Sequence, residues 1–264
     1  QKLDPSLIKK ILLIRLRRIG DIIMTTPSIT SIREAFPKAF ISYVVEEPYR
    51  ELIEGNPGLD EVIVLKKKQR IKDFFRLIRQ IQKEDYDVVL DFHGGPRASL
   101  ITLFSKAKLK VGYRIRYRNF IYDIKLPRAA KRGHIHSVEN HLNLVKALGV
   151  SIDIPPPLFL PQARTDEVEK VKKFIEEYKL EGHKIVTIHI SAGNEFRDWG
   201  ADNLVNLLDL LGQLLEVQIV LIGTSEDLKA GEEILKKSKA PLLSLVGKLN
   251  LFLIAYSYAI IKIK

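Results

Sequence analysis

The chain has 264 residues, 46% hydrophobic and 28% charged, a composition typical of soluble globular proteins rather than disordered or fibrous ones. It contains no cysteine, which excludes disulfides, thiolate metal sites and a cysteine nucleophile. Residues 1–160 hold 29 Lys and Arg against 17 Asp and Glu, whereas the remainder carries a net charge of −1, so the first half is expected to meet an anionic partner: nucleic acid, an anionic membrane surface or a phosphorylated substrate.

Apolar, β-branched runs alternate with amphipathic segments through the first half. Strands are predicted in ILLIRL, FISYVV, VIVL and DVVLD, and helices in SITSIREAF, IKDFFRLIRQIQKE and RASLITLFSKA. Strict alternation of strand and helix predicts a parallel sheet with helices on both faces.

The alternation stops at SIDIPPPLFLPQ, residues 151–162, where four prolines predict an extended linker. It restarts with helices in RTDEVEKVKKFIEEYKL, ADNLVNLLDLLGQLL and SEDLKAGEEILKK, and strands in KIVTIHI, VQIVLIG and LLSLV. We therefore predict two doubly wound α/β domains, 1–152 and 164–264, joined by 153–163. A ligand cleft is expected at the carboxyl ends of their strands.

Several common signatures are missing from the sequence. No G-x-G-x-x-G or P-loop follows a strand, and His134, His136 and His141 match no common zinc motif, so no metal site is predicted. The longest apolar run, 251–261, is too short to cross a bilayer, and arginines interrupt the apolar core that a secretory signal would need. A cytoplasmic protein is expected.

The stretch RIGDIIMTTP follows the first strand. Gly20 is expected to allow a tight turn, and Asp21 to lie at or before a helix N-terminus, where the helix dipole favours a carboxylate. Asp21 is then either a helix cap or a chemically active group. Thr26 and Pro27 form another plausible cap and first-turn pair, which leaves the helix start open.

The stretch HISAGNEFRDWGADNL, residues 189–204, also lies between a strand and a helix. Small residues, Ser191, Ala192 and Gly193, leave backbone N–H groups accessible, and Arg197 supplies a permanent cation. This combination suits a diphosphate, although an ordinary loop with a solvated Arg197 has the same composition.

Residues 106–132 contain ten Lys or Arg and one acid, Asp123. Arg114, Arg116 and Arg118 alternate with Ile and Tyr, as on a strand with one cationic face. Such a surface would serve RNA by charge and stacking, or a phosphorylated glycolipid, or would simply be solvated.

These segments together resemble the ADP-heptose:lipopolysaccharide heptosyltransferase family. The matching stretches are ILLIRLRRIGDIIMTTPSITSIREAFPKAFISYVV, YDVVLDFHGGPRASLITLFSKAKLKVGY, HSVENHLNLVKALGV, HISAGNEFRDWGADNLVNL and VQIVLIGTSEDLKAGEEI. The resemblance implies two facing Rossmann-like domains of the GT-B type. It also implies inverting transfer of heptose from ADP-heptose to the lipopolysaccharide inner core, at the anionic inner face of the cytoplasmic membrane, with no nucleic-acid partner. No cofactor or strict metal requirement is expected.

The resemblance also implies site residues. Asp21 corresponds to the proposed general base, and Arg197 stands where the family usually has lysine, to stabilise the departing ADP. The nucleotide-sugar site would comprise Gly20, Ser191, Ala192, Gly193, Gly223, Glu226, Asp227 and Leu249. The candidates for binding the acceptor's phosphates and acidic sugars are Arg18, His93, Arg97, Arg114 and Arg116.

The family pattern continues into a D-S/T-G-x-x-H loop that contacts the donor diphosphate, whereas this sequence ends at Lys264. We therefore expect the second domain and the donor site to be incomplete in this sequence. Two alternatives to heptosyl transfer stay open: a GT-B enzyme that uses another sugar nucleotide, and a non-catalytic α/β protein that binds RNA or anionic lipid.

Overall fold

In the computed structural model, which describes residues 7–66, 70–128, 135–162, 165–192 and 195–248, the first unit is built around a six-stranded parallel sheet. The chain divides into two units, Gln1–Pro161 and Gln162–Lys264. The strands of the first unit are β1 Lys10–Ile14, β2 Phe40–Glu46, β3 Glu61–Leu65, β4 Val88–Asp91, β5 Leu109–Tyr113 and β6 Ile124–Leu126. Its helices are α1 Ile19–Ile23, α2 Thr26–Ala35, α3 Ile71–Lys83, α4 Pro96–Phe104 and α5 Ser137–Lys146.

The strand order is β3-β2-β1-β4-β5-β6, and all neighbours are parallel. The chain builds outward from β1 to β3, then returns to the other side of β1 with β4. The point between β1 and β4 is therefore a topological switch point, where open α/β sheets bind ligands at the carboxyl ends of their strands. The parallel α/β sheet predicted from the sequence is confirmed.

Strand β1 explains why this sheet is stable. Its apolar residues Ile11, Leu12, Leu13 and Ile14 are fully buried, because the sheet has helices on both faces. Each such side chain contributes about 2 kcal/mol of transfer free energy. A continuous apolar run, rather than an alternating one, is typical of a strand covered on both sides.

The chain after β1 forms two short helices rather than one kinked helix. Helix α1 ends at Ile23, and α2 begins at Thr26 with Pro27 in its first turn. The hydroxyl of Thr26 donates to the carbonyl of Ile23 (2.7 Å), so the prediction of a Thr26 cap is wrong and Thr25 occupies the N-cap position. The prediction of a tight turn at Gly20 is also wrong, because Gly20 is the second residue of α1.

The basic stretch does not form the predicted strand with a cationic face. Strand β5 ends at Tyr113, and residues 114–118 form a loop and turn in which the N–H of Arg118 donates to the carbonyl of Ile115 (3.0 Å). Tyr117 has a φ of 67°, which no strand residue adopts. Arg114, Arg116 and Arg118 therefore do not share one strand face.

The second unit contains a three-stranded parallel sheet in the order β7-β8-β9, with bounds β7 Ile185–His189, β8 Gln218–Ile222 and β9 Leu242–Ser244. Its helices are α6 Thr165–Glu177, α7 Ala201–Leu214 and α8 Leu228–Lys237. Leu208 and Ile234 pack with Ile219 and Leu221 in its core. Within the described residues, none of the helices combines the length and apolar character that a membrane span requires.

Candidate active site

The carboxyl ends of β1 and β4 bring two charged segments together at the switch point of the first sheet. The chain leaves β1 through Arg15 and reaches Asp21 in the first turn of α1. It leaves β4 through Asp91 and His93. The predicted position of Asp21 at a helix N-terminus is confirmed.

Asp21 forms an ion pair with Arg15, whose Nη2 contacts Oδ2 of the carboxylate. The two partners differ in environment, since the Arg15 side chain is 3% exposed and that of Asp21 is 40% exposed. Asp21 is therefore reached by solvent on one side and held by a buried cation on the other.

Arg15 joins the two segments that leave the sheet. Its Nη1 donates to the carbonyl of Phe92 (2.7 Å), directly after β4. Burial lowers the pKa of Arg15, whereas the nearby Asp21 carboxylate raises it again. A buried guanidinium is costly without a partner, so this contact fixes Asp21 relative to both strand ends.

Asp91 closes β4 and shapes the loop that follows it. The side chain is fully buried; Oδ1 accepts from the N–H groups of His93 (2.9 Å) and Gly94 (2.7 Å), and Oδ2 accepts from the hydroxyl of Tyr122 (2.7 Å). Burial raises the pKa of Asp91, although these three donors oppose that effect. Asp91 is thus a support for the loop rather than a group that meets substrate.

His93 lies at the same edge with a neutral imidazole. Burial, followed by the charges of Arg15 and Arg17, lowers its pKa to about 4. Its Nδ1 is buried and has no hydrogen-bond partner among the residues that the structure describes. At neutral pH the uncharged ring of His93 can form a hydrogen bond with a bound substrate, but it cannot neutralise the charge of a phosphate.

A fully buried histidine, His141, supports this edge from α5. The Nδ1 of His141 shares a hydrogen bond with the hydroxyl of Tyr113 (2.8 Å), and its ring meets Phe92 edge to face. Burial lowers the pKa of His141 to about 3. Of the other two histidines considered as metal ligands, His136 occupies the N-cap position of α5 and His134 lies outside the described residues. Among the described residues, no group of three or more His, Cys, Asp or Glu could hold a metal ion.

The predicted acceptor-binding arginines lie in different surroundings. Arg18 is exposed at the N-cap position of α1, and Arg114 and Arg116 are exposed in the loop after β5. Arg97 is already engaged, because Nη1 contacts the buried Glu46 carboxylate (3.2 Å) and Nη2 donates to the carbonyl of Lys66 (3.2 Å). Arg97 therefore links α4 to the ends of two strands and has fewer donors left for a ligand.

In the second unit, Ser191, Ala192 and Gly223 lie just past the carboxyl ends of β7 and β8. A Cβ on Gly223 would stand 3.0 Å from the Asp227 carboxylate, so only glycine fits without a shift. Gly193 and Leu249, also predicted here, lie outside the described residues.

The two acids predicted for the nucleotide-sugar site, Glu226 and Asp227, differ in how available they are to a ligand. Oδ2 of Asp227 accepts from both the N–H (2.7 Å) and the hydroxyl (2.8 Å) of Thr224. Burial raises the pKa of Asp227, but hydrogen bonds from Thr224 and Ser191 outweigh it and hold the pKa below its usual value. Asp227 thus stabilises its own turn, whereas Glu226 is exposed.

Arg197 ends a short 3₁₀ helix, residues 195–197, and its side chain is exposed. Gly200, three residues later, has a φ of 84° and leads into α7. Trp199 precedes α7 by two residues, and its side chain is 55% exposed rather than packed away from solvent. The segment between β7 and α7 therefore presents a cation and an aromatic ring to solvent.

Sequence reasoning missed Arg15, Asp91 and His141, which support the edge from inside. A charged residue directly after an apolar run was a signal for the first two. For His141 no signal was available, since its partners Tyr113 and Phe92 are distant in sequence.

Comparison with known proteins places the chain among sugar transferases. Residues 74–260 match the model of glycosyltransferase family 9 (heptosyltransferase). Lipopolysaccharide heptosyltransferase 3 of Escherichia coli (strain K12) is 23% identical over 241 residues, which are 88% of this chain and 69% of that protein. Lipopolysaccharide heptosyltransferase 2 of Salmonella typhimurium (strain LT2) is 26% identical over 236 residues, covering 86% and 66%. The chain thus spans about two thirds of the length of these relatives.

Two solved structures share the fold. The glycosyl transferase family 9 protein from Veillonella parvula DSM 2008 has a TM-score of 0.79 at 23% identity, covering 94% of this chain and 71% of that one. A heptosyltransferase from E. coli, solved with ADP, has a TM-score of 0.66 at 20% identity, covering 95% and 78%.

Proposed function

The chain belongs to glycosyltransferase family 9, the heptosyltransferase family, and we propose that it transfers heptose from ADP-heptose to the lipopolysaccharide inner core. The acceptor would be Kdo-lipid A or heptosyl-Kdo-lipid A. Relatives named as lipopolysaccharide heptosyltransferases support heptosyl transfer to a lipopolysaccharide acceptor, and the related structure solved with ADP supports a donor that carries ADP. The strong positive charge of residues 1–160 suits a phosphorylated, acidic acceptor.

The observation that carries the proposal is the half-exposed carboxylate of Asp21 at the switch point. A general base must be reachable by the substrate and fixed in place. Asp21 meets both conditions, because its side chain is 40% exposed and its inner face contacts the buried Arg15. Asp21 does not cap α1, because Arg18 occupies the N-cap position and no side chain accepts a capping hydrogen bond there.

The reaction is a single displacement. The acceptor hydroxyl oxygen attacks the anomeric carbon of heptose, the bond from that carbon to the phosphate oxygen breaks, and ADP leaves with the bonding electrons. Asp21 takes the hydroxyl proton. Because the nucleophile enters opposite to the leaving group, the anomeric configuration inverts.

The second unit would stabilise the departing ADP. Arg197 would offset the negative charge that grows on the diphosphate, and the backbone N–H groups near Ser191 and Ala192 would donate to its oxygens. Glu226 would accept from ribose hydroxyls. Because Arg197 would offset the charge on the departing diphosphate, we propose that no metal ion is strictly required. EDTA should therefore leave the rate of transfer unchanged.

The direct test is ADP release by the purified protein given ADP-heptose and Kdo-containing acceptors. Release that depends on both substrates is expected, and absence of release with Kdo and heptosyl-Kdo acceptors alike would contradict the proposal. UDP- and GDP-sugars, offered in parallel, test the rival that this GT-B enzyme uses another donor. We also propose that transfer takes place at the cytoplasmic face of the inner membrane.

A further inference from the structure

Two large aromatic side chains project from the loop that joins β5 to β6. Tyr117 is 79% exposed and Phe120 is 75% exposed. Single exposed apolar residues are common, but two bulky rings in one short loop are a feature of interaction surfaces. We call residues 114–120 the aromatic loop.

The aromatic loop is held firmly at its base, so the exposure of the rings is built into the fold. The N–H of Ile115 donates to Oδ1 of Asn119 (2.8 Å), and Nη1 of Arg118 donates to the hydroxyl of Ser99 in α4 (3.1 Å). The Ile115 side chain covers Gly94, where a Cβ would come within 2.9 Å of it. Ile115, Arg118 and Asn119 thus hold the loop in place, and the two rings do not take part in these contacts.

The loop lies at the same edge of the sheet as Asp21. It leaves the carboxyl end of β5, which is adjacent to β4, and its Ile115 packs on Gly94, in the loop that follows Asp91 and carries His93. A partner that docks on the aromatic loop is therefore brought to the edge of the sheet that holds the candidate site.

The charges around the two rings are positive. Arg114 and Arg116 are exposed within the aromatic loop, and the exposed Lys125 donates through Nζ to the carbonyl of Asn119 in the same loop (3.3 Å). The one acid of residues 106–132, Asp123, is also exposed, but its Oδ2 accepts from the N–H of Lys110 (2.8 Å), near the amino end of β5 and so away from the strand end at which the loop begins. Exposed aromatic rings flanked by cations match the interface of an anionic bilayer, in which rings enter the headgroup layer and cations meet lipid phosphates.

We propose that the aromatic loop docks the chain on an anionic lipid bilayer through Tyr117 and Phe120. RNA would also meet cations and aromatic rings, but it binds by stacking bases on open ring faces. One face of Tyr117 is already covered by the guanidinium of Arg116, at 4.8 Å from the ring centre. The observations therefore favour the bilayer over RNA.

The test is co-sedimentation of the full chain with vesicles of phosphatidylcholine and phosphatidylglycerol, or of phosphatidylcholine alone. The chain is expected to bind the anionic vesicles and to be released by salt. The double variant Tyr117→Ser/Phe120→Ser is expected to lower the partition coefficient about tenfold. Replacing Arg114 by Gln should lower it about fivefold.

Leu214→Ser is the matched control, because Leu214 is an apolar side chain 70% exposed on α7 of the second unit. It should bind vesicles as the wild type does. Equal binding by the double variant and the wild type would overturn the proposal, as would an equal loss with Leu214→Ser or equal binding to neutral vesicles. Stronger binding of the wild type to a single-stranded RNA oligonucleotide than to the vesicles would also overturn it.

The vesicle assay contains neither donor nor acceptor, so its result is independent of heptosyl transfer. Thermal melting and ADP binding of the double variant show whether it is folded. With a deacylated, water-soluble acceptor, the double variant should keep the wild-type turnover, because neither ring belongs to the proposed reaction. Loss of turnover with that acceptor would place the loop in substrate binding instead of membrane docking.

Discussion

The carboxyl edges of the two parallel sheets are organised in different ways. In the first unit, buried Arg15 and Asp91 hold the segments that carry Asp21 and His93. In the second unit, Arg197 and Glu226 are exposed, and Asp227 serves its own turn. Groups that move protons need fixed geometry, whereas groups that bind a flexible diphosphate can be ordered by the ligand itself.

This difference leads to an expectation about substitutions. In the first unit, changes at the edge should affect the chemical step, and changes to buried supports should also affect stability. In the second unit, changes should affect the leaving group and donor binding, with little effect on the free energy of unfolding.

The largest effect is expected at Asp21. Asp21→Asn keeps a polar partner for Arg15 but removes the proton acceptor, so kcat should fall by about 10²–10⁴-fold while ADP affinity stays unchanged. Initial-rate kinetics and ADP titration measure the two quantities. Asp73→Asn is the control, since Asp73 is also a first-turn acid beside an arginine, Arg76 (3.3 Å). Wild-type turnover of Asp21→Asn would remove Asp21 from the mechanism.

The next largest effect is expected at Arg197, at the exposed edge of the second unit. Arg197→Ala should lower kcat about 10²-fold, because charge on the departing ADP loses a cation. Arg197→Lys should retain most of the activity, since the charge remains although the planar geometry is lost. Unfolding by urea should be unchanged in both variants. If alanine and lysine behave alike, Arg197 has no role in leaving-group departure.

A smaller effect is expected when the buried support of Asp21 is removed. Arg15→Met should lower kcat about tenfold with little change in ADP affinity, because the carboxylate remains but loses its fixed position. Arg15→Lys should recover part of the rate. Arg33→Met, which breaks the ion pair of Arg33 with Asp60 (2.5 Å) elsewhere in the unit, is the control for general destabilisation. An equal loss of kcat in the control would show that Arg15 acts through stability alone.

The smallest effect concerns acid stability. The pKa of His141 is lowered to about 3 by burial, so below about pH 6.5 the unfolded chain binds a proton that the folded chain does not. Stability should therefore fall as pH drops through this window, by about 1 kcal/mol from this residue between pH 7.5 and 5.5.

Urea denaturation at both pH values measures this change. His141→Gln keeps a partner for the Tyr113 hydroxyl and should reduce the pH dependence by about this amount, while His93, whose pKa is also lowered by burial, keeps its own contribution. His183→Gln, at an exposed position in the second unit, is the control. The same slope in His141→Gln and the wild type would contradict the assignment.

Much of the fold could be predicted from local pattern. The apolar runs of β1, β2 and β4 and the periodicity of α3 and α7 predict elements within a few residues of their observed bounds. The predictions failed in the basic stretch, where β5 is short and the arginines continue past it into a turn. Strand β6 was not predicted, because three residues carry little periodic signal; helix α5 was not predicted either, although at ten residues it is as long as α2.

The candidate site could likewise be predicted only in part from local sequence. Asp21 could be located because a helix start after a strand is a local signal. The ion pair of Arg15 with Asp21 depends on the side chain turning inward, and its second contact, to Phe92, joins positions far apart in sequence.

The sequence by itself determined the alternation of strands and helices, the net charge of each half and the chemistry available at each strand end, since these depend on residue type and near neighbours. Only the tertiary structure decided which charged residues are supports and which face solvent. Strand order brings β1 beside β4 across more than 70 residues of chain, and burial at that junction changes the ionisation and contacts of His93 and Asp91. Desolvation is a property of the packed environment, which no local pattern contains.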